Sequence, residues 1–124
     1  MNDSTPLPVT DDIAVFRLSG DFRFGQVVDR VAEAVERAAA SGQTRLLIDI
    51  TDATGFAPPS LADRHAMVRR LAEAARGFVR GAMVVRPAFI DPQKFGVVAA
   101  ANFGLVSNVF QREDEAMAWL RSLP

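Results

Sequence analysis

The stretch LLIDITDATGFAPPSLADRHAMV, residues 46–68, decides the fold of this chain. It opens on LLIDI, a nearly unbroken apolar run that is typical of a strand buried on both faces of a sheet. A loop at residues 51–59 follows, with one glycine and two adjacent prolines. From about residue 60 to residue 75, apolar side chains recur at helical spacing, which predicts a helix. The stretch therefore forms one strand, loop and helix of an α/β sheet.

Strands and helices alternate on both sides of this unit. Further strands are predicted at residues 13–18, 82–85 and 106–110, and further helices at residues 24–38, 92–103 and 113–123. Because helices separate the strands, we expect a mostly parallel mixed sheet of about four or five strands with about four helices, in β-α-β-α-β-α-β-α order. Residues 1–12 are predicted to form a loose arm or a short edge strand, and residues 13–124 a single domain.

The helical spacing also predicts which side chains of the second and third helices face the core. In the second helix these are Leu61, His65, Val68, Leu71 and Ala72. In the third helix we expect Asp91 as the N-cap and Pro92 in the first turn. The side chains predicted to face inward there are Phe95, Val98, Ala99 and Asn102.

Composition excludes several classes of function. The 14 basic residues nearly cancel the 15 acidic ones, so the chain lacks the positive field with which proteins bind nucleic acid. The chain has no cysteine, which excludes disulfides, thiolate metal sites and thiol nucleophiles. No apolar run approaches the roughly 20 residues that span a bilayer, and the acidic start does not resemble a secretory signal. We expect a cytoplasmic domain without membrane insertion.

Candidate catalytic and metal-binding residues are few. His65 is the only histidine, so a hydrolase would have to combine it with Asp49 or Ser60. The five-residue separation of Ser60 and His65 does not bring their side chains together on a helix, and a packed histidine is the simpler interpretation. Asp49 and Asp52 have the chemistry for a cation or a shared proton, but a structural role for Asp49, accepting hydrogen bonds from loop amides, is favoured. Because no glycine-rich phosphate loop is present either, we expect no catalytic residue, no metal and no cofactor.

The loop and the start of the second helix form a candidate binding edge. If the helix starts at Pro59, no oxygen-bearing N-cap precedes it, and the first free amides would attract an anion. Alternatively, the side chain of Asp63 or Thr54 folds back onto those amides. Phe56 is either a core plug or an exposed anchor. The candidate binding residues are Thr51, Asp52, Thr54, Gly55, Phe56, Pro58, Pro59, Ser60 and Leu61.

A family resemblance covers most of the chain. The strand LLIDIT, the loop DATGFAPPS and the helix LADRHAMVRRLA resemble the central segment of STAS domains, the fold of anti-sigma factor antagonists and sulphate transporters. The ending NVFQREDEAMAWLRS is similar to the closing signature of the SpoIIAA-like branch, which is matched at Val109, Phe110, Ala116, Trp119 and Leu120.

The resemblance implies a phosphorylation switch that this sequence does not match. In the antagonists a serine at the start of the second helix is phosphorylated by a partner kinase. Here Ala57, Pro58 and Pro59 stand at the Asp-Ser-Ser positions of that motif, and Ser60 is only a displaced candidate. The resemblance therefore carries over the fold and not the usual phospho-acceptor serine.

Three functions are weighed on this basis. The first is a non-catalytic regulatory or binding module that docks a protein partner, or a small apolar or anionic ligand, at residues 51–62 together with residues 86–94. The alanine-rich third helix would let two copies approach closely, so a homodimer belongs among the expected partners.

The branch is also compared with CRAL-TRIO lipid-transfer domains, which implies an apolar pocket for a lipid-like ligand as the alternative. The side chains that would line this pocket are Phe22, Phe24, Phe56, Phe89, Phe95 and Phe103. The same side chains would fit an ordinary hydrophobic core equally well. The last is a hydrolase that uses His65.

Overall fold

The computed structural model describes residues 6–124 as a mixed sheet with helices on both faces. The strands are β1 (Val9–Thr10), β2 (Ile13–Asp21), β3 (Arg45–Thr54), β4 (Arg80–Val84) and β5 (Ser107–Phe110). The helices are α1 (Phe24–Ala40), α2 (Leu61–Ala75), α3 (Phe95–Asn102) and α4 (Glu113–Ser122), with a 3₁₀ turn at Pro87–Phe89. Part of the predicted N-terminal arm, residues 1–5, lies outside the described residues, and the rest contains β1.

The strands lie side by side in the order β1-β2-β3-β4-β5. β1 is antiparallel to β2, and the other neighbouring pairs are parallel. Because β2 to β5 advance across the sheet in one direction, right-handed crossovers place α1, α2 and α3 on the same face. α4 follows the last strand and packs on the opposite face. The predicted mostly parallel α/β fold is confirmed.

The sheet separates two hydrophobic cores. The larger core lies under α1, α2 and α3, and the smaller one lies under α4. Side chains alternate along β3, so that Leu46 and Ile48 enter the larger core while Leu47 enters the smaller one. This two-sided burial is what the apolar run LLIDI predicts.

The predicted inward face of α2 is partly wrong. Val68 and Leu71 are buried as predicted, but Leu61 is 70% exposed and His65 is also exposed. The packed stripe of the helix instead includes the half-buried Arg64. The first three residues of the helix, 61–63, are all exposed, so Leu61 lies before the packed part of α2.

α3 begins later than predicted and turns a different face inward. Asp91 is not its N-cap, which is Lys94: the Asp91 carboxylate accepts hydrogen bonds from the amides of Gln93 in the preceding turn (3.1 Å) and of Phe95, the first residue of α3 (2.9 Å). Phe95 and Val98 are each 55% exposed, whereas Ala100 is buried. Asn102 is exposed and Ala99 half-buried. The sequence FGVVAAAN is apolar on almost every side, so its spacing does not identify the inward face.

Candidate functional site

An apolar cavity of about 120 Å³ lies between the sheet and the helices α2 and α3. Strands β3, β4 and β5 supply its floor, with Ile48, Met83 and Val109 among the lining residues. Met67 of α2 and Val97 of α3 contribute to the opposite wall. We call this space the apolar cavity.

Gly81 leaves part of the cavity floor without a side chain. It pairs in register with Leu46 of β3 and Ser107 of β5, and all three residues line the cavity. A Cβ atom built on Gly81 would have one neighbour within 4 Å, the Leu46 carbonyl oxygen at 4.0 Å. Glycine inside a strand often marks a close approach of another group. Here it instead leaves open volume beside the strand.

The loops after β3 and β4 meet at the mouth of the cavity. The ring of Phe56 lies between those of Phe24 and Phe89, with centroid distances of 6.2 Å and 5.4 Å. Arg86 lies over the Phe89 ring, 5.0 Å from its centroid, and donates a hydrogen bond to the Ala53 carbonyl oxygen at 3.0 Å. Phe56 is half-buried. Of the two interpretations of Phe56, the plug describes it better than the exposed anchor.

In the part of the chain that the structure describes, three charged side chains line the otherwise mostly apolar cavity: Arg64, Asp91 and Lys94. A guanidinium nitrogen of Arg64, Nη1, lies 3.7 Å from Oδ2 of Asp91, and these side chains are only 20% and 14% exposed. Nζ of Lys94 donates a hydrogen bond to Oδ1 of Asn108 at 2.8 Å. Sequence reasoning did not select Arg64. The available signal was its position four residues before the buried Val68, on the packed stripe of α2.

The predicted open helix end at the start of α2 is wrong. The helix starts at Leu61, two residues after Pro59, and Ser60 is its N-cap. Oγ of Ser60 accepts a hydrogen bond from the amide of Asp63 at 3.1 Å. The backbone of Ser60 is extended, which is the usual N-cap conformation. The expected anion site at this helix end therefore loses its basis, and the acidic Asp63 in the first turn further opposes an anion there.

The other predicted binding residues mainly fix the loop. The amide and hydroxyl of Thr51 donate to Oδ1 of Asp49, at 2.9 Å and 2.6 Å, and the Thr54 hydroxyl donates to the Asp21 carboxylate. Gly55 has a φ angle of +94° and packs against the backbone of Phe22. Asp52 and Pro58 are exposed. Within the predicted set, Phe56 and Pro59 are the residues that line the cavity.

A second polar cluster lies on the other face of the sheet, beside α4. Nε and Nη2 of Arg17 each donate to a carboxylate oxygen of Glu113 at 2.8 Å, and the carboxyl groups of Glu113 and Asp49 interact. The hydrogen bond from Arg17 lowers the pKa of Glu113 to about 2. Burial, followed by the contact with Glu113, raises the pKa of Asp49. The predicted structural role of Asp49, accepting from a loop amide, is confirmed by its bond to Thr51.

The residues of the hydrolase hypothesis are not brought together. Asp49 contacts Glu113 of α4, whereas Ser60 and His65 belong to the start of α2 on the opposite face. His65 is exposed and meets the Phe103 ring edge to face, with 5.5 Å between the centroids. Across residues 6–124, no three acidic, histidine or cysteine side chains are placed to share a metal ion. Within the same residues, no helix has the length and hydropathy to cross a membrane.

The fold and this site define a small α/β binding domain of the STAS type. A family model described as SpoIIAA-like matches residues 13–121. The chain belongs to the SpoIIAA-like family, and this membership indicates a non-catalytic regulatory or binding module in general terms. No curated protein gives a significant match to the chain, and neither does any solved structure.

Proposed function

We propose that this domain is a non-catalytic binding module that holds a small apolar molecule in the cavity between the sheet and helices α2 and α3. The observation that carries the proposal is the apolar cavity itself, about 120 Å³ in volume and lined largely by aliphatic and aromatic side chains. Such a space is smaller than the pockets that hold drug-sized ligands, which run to roughly 300 Å³ or more. It is close to the roughly 150 Å³ of an apolar cavity that binds benzene. The proposed ligand therefore has a ring or chain of about six carbon atoms.

The position of the cavity supports a ligand-binding role over a plain core. In parallel α/β sheets, ligands bind beyond the carboxyl ends of the strands. Phe56 and Phe89 come from the segments that follow β3 and β4, and both line the cavity. The proposed binding edge thus includes residues 51–62 and 86–94, with Phe56 and Phe89 at the mouth. A ligand bound in the cavity would change the conformation of these exposed loops, to which a partner protein would bind.

The same proposal assigns Ser60 a structural role in place of phosphorylation. Its hydroxyl oxygen accepts the hydrogen bond that caps α2. Two prolines precede it, and neither has a hydroxyl that accepts phosphate. We therefore propose that ligand occupancy, and not a phosphoserine, changes the state of this loop.

A titration with benzene tests the proposal. We expect chemical shift changes at methyl groups of Met67, Met83 and Val109, which line the cavity. The methyl groups of Leu47 and Leu120, which lie in the other core under α4, serve as the internal control and should not respond. No change at the cavity methyl groups, or equal changes in both cores, would contradict the proposal.

A further inference from the structure

The charges at the cavity wall do not balance. Arg64 and Lys94 are cationic and Asp91 is anionic, so within residues 6–124 the charged residues of the lining carry a net charge of +1 (two positive, one negative). The side chains of Arg64 and Asp91 are mostly buried, which weakens solvent screening of their charges, whereas Lys94 is exposed. A bound neutral molecule would leave this excess charge without a counter-ion in the lining. An anionic group on the ligand would neutralise it.

The ion pair between Arg64 and Asp91 is loose. Its closest separation is 3.7 Å, which is beyond hydrogen-bonding distance. Arg17 and Glu113, in contrast, form two hydrogen bonds of 2.8 Å on the outer surface of the same protein. Guanidinium and carboxylate groups interact most strongly at about 2.7–2.9 Å. Arg64 is thus four-fifths buried beside a carboxylate that it does not engage fully.

Asp91 is held in its place by the backbone. Its two carboxylate oxygens accept from the amides of Gln93 and Phe95, at 3.1 Å and 2.9 Å. Moving Asp91 toward Arg64 would break these bonds, which stabilise the turn before α3. The guanidinium of Arg64 therefore keeps donor capacity for a second anion.

Lys94 adds a second cation at the same wall. It is the only lysine in the sequence, and its backbone lies in the left-handed region with a φ angle of 53°. A residue other than glycine adopts this conformation at a cost of about 1 kcal/mol or more. In this position Nζ reaches Asn108 of β5, another cavity residue. The strained backbone holds the ammonium group beside the space that a ligand would fill.

We propose that the ligand is a small monocarboxylate, whose apolar body fills the cavity while Arg64 and Lys94 bind its carboxylate group. The proposal rests on the proposed function, because it assigns a chemical class to the ligand of the same cavity. Planar carboxylates suit the forked donors of a guanidinium, and the ammonium group of Lys94 supplies a further charged donor.

The test compares three ligands with the same six-carbon chain: hexanoate, 1-hexanol and hexylamine. Calorimetry and chemical shift changes of the full chain measure their affinities. We expect hexanoate to bind about tenfold more tightly than 1-hexanol, which corresponds to one charge-assisted hydrogen bond, and hexylamine to bind most weakly. Equal affinities for hexanoate and 1-hexanol would overturn the carboxylate assignment but leave the apolar ligand of the proposed function intact. Failure of benzene and all three hexyl compounds to bind would overturn both.

Two substitutions assign the effect to the named residues. In Arg64→Gln and Lys94→Gln, the preference for hexanoate over 1-hexanol should fall by about fivefold or more, because the carboxylate loses a charge-assisted hydrogen bond. Arg69→Gln is the matched control, because Arg69 lies on the same helix and does not line the cavity. An equal loss of preference in the Arg69 variant, or no loss in the other two, would overturn the assignment.

A chemical readout on the unsubstituted protein needs no variant. Since Lys94 is the only lysine, an amine-acylating reagent followed by mass spectrometry reports its accessibility directly, with the α-amino group as the internal reference. Hexanoate should slow the acylation of Lys94 and 1-hexanol should not. Identical acylation rates with both compounds would count against a carboxylate bound at Lys94.

Discussion

The backbone of Phe22 lies directly against the position where a side chain on Gly55 would begin. A Cβ atom on Gly55 would come within 2.8 Å of the Phe22 carbonyl oxygen and 3.1 Å of its nitrogen. The amide of Phe22 also donates a hydrogen bond to the Thr54 carbonyl oxygen at 2.7 Å. This close approach fixes the turn after β3, and the next residue along the chain, Phe56, then enters the mouth of the cavity.

The first prediction follows from this contact. Gly55→Ala should lower the free energy of unfolding by about 3 kcal/mol, because it combines a positive φ angle with a clash against backbone. Gly42→Ala separates the two causes, since Gly42 also has a positive φ angle but no atom within 4 Å of the added Cβ. We expect a loss of about 1 kcal/mol there in urea denaturation. Equal losses at both positions would show that the contact with Phe22 is unimportant.

The second prediction concerns the cap of α2. Ser60→Ala should cost about 1 kcal/mol of stability, because the amide of Asp63 loses its acceptor. Ser60→Asp should keep most of the stability, since aspartate is an equally good N-cap. Ser19→Ala, another exposed serine, is the control. Thermal denaturation measures all three, and a Ser60→Ala variant as stable as the unsubstituted protein would contradict the capping role.

The third prediction tests Phe56 as a wall of the cavity. Phe56→Ala removes the ring contacts with Phe24 and Phe89 and should cost about 2–3 kcal/mol, less than full burial would give, because the side chain is half-buried. It should also weaken benzene binding. Phe78→Ala is the control, since Phe78 is exposed and does not line the cavity. Unchanged benzene affinity in the Phe56 variant would show that Phe56 does not contribute to ligand binding.

The fourth prediction is a pH dependence. The folded-state pKa of Glu113, about 2, lies below its ordinary value of 4.5. The pair with Arg17 therefore stabilises the folded protein fully above pH 4.5, and this stabilisation is lost as the pH falls through about 2. Arg17→Gln should therefore destabilise the protein at neutral pH, by at most about 1 kcal/mol because solvent screens Arg17.

The raised pKa of Asp49 acts in the opposite direction. Asp49 binds a proton more readily in the folded protein than in the unfolded chain. Its contribution to the free energy of unfolding therefore falls as the pH rises from its ordinary pKa of 3.8 through its raised pKa.

Urea denaturation of the Arg17→Gln variant and the unsubstituted protein should show a smaller difference in stability at pH about 3 than at neutral pH. A difference that stays constant or grows in acid would contradict the role of the pair.

The order of elements was predictable because it depends on local patterns. The apolar run LLIDI and the helical spacing of Val27, Val31 and Val35 each indicate an element in any arrangement that buries them. The structure buries these valines and the four apolar residues of the run. The face of α3 was not predictable, because its residues are apolar on nearly every side. The start of α2 was predicted to within one residue, at about residue 60, but its cap was not, because either proline fits a first helical turn and only the folded loop makes Ser60 the cap.

The cavity itself was beyond the reach of sequence patterns. A glycine in a strand can have several structural roles. The open space beside Gly81 depends on how α2 and α3 pack over β4. The charged wall depends on a contact across 27 residues of chain, between Arg64 and Asp91, that no local spacing encodes. Residues 51–62 and 86–94 were nevertheless predicted as the binding edge, and Phe56 and Phe89 of these segments lie at the mouth of the cavity.

Filling the cavity from its floor tests the central claim most directly. Gly81→Val places a branched side chain into the apolar cavity, while Gly25→Ala adds a methyl group on the exposed side of α1, where nothing lies within 4 Å. Both substitutions should raise stability by up to about 1 kcal/mol, because each replaces a glycine inside a strand or helix. The measurement is benzene affinity by chemical shift titration. We predict that Gly81→Val abolishes binding and Gly25→Ala leaves it unchanged; a folded Gly81→Val protein that binds benzene as tightly as the unsubstituted chain would contradict the account.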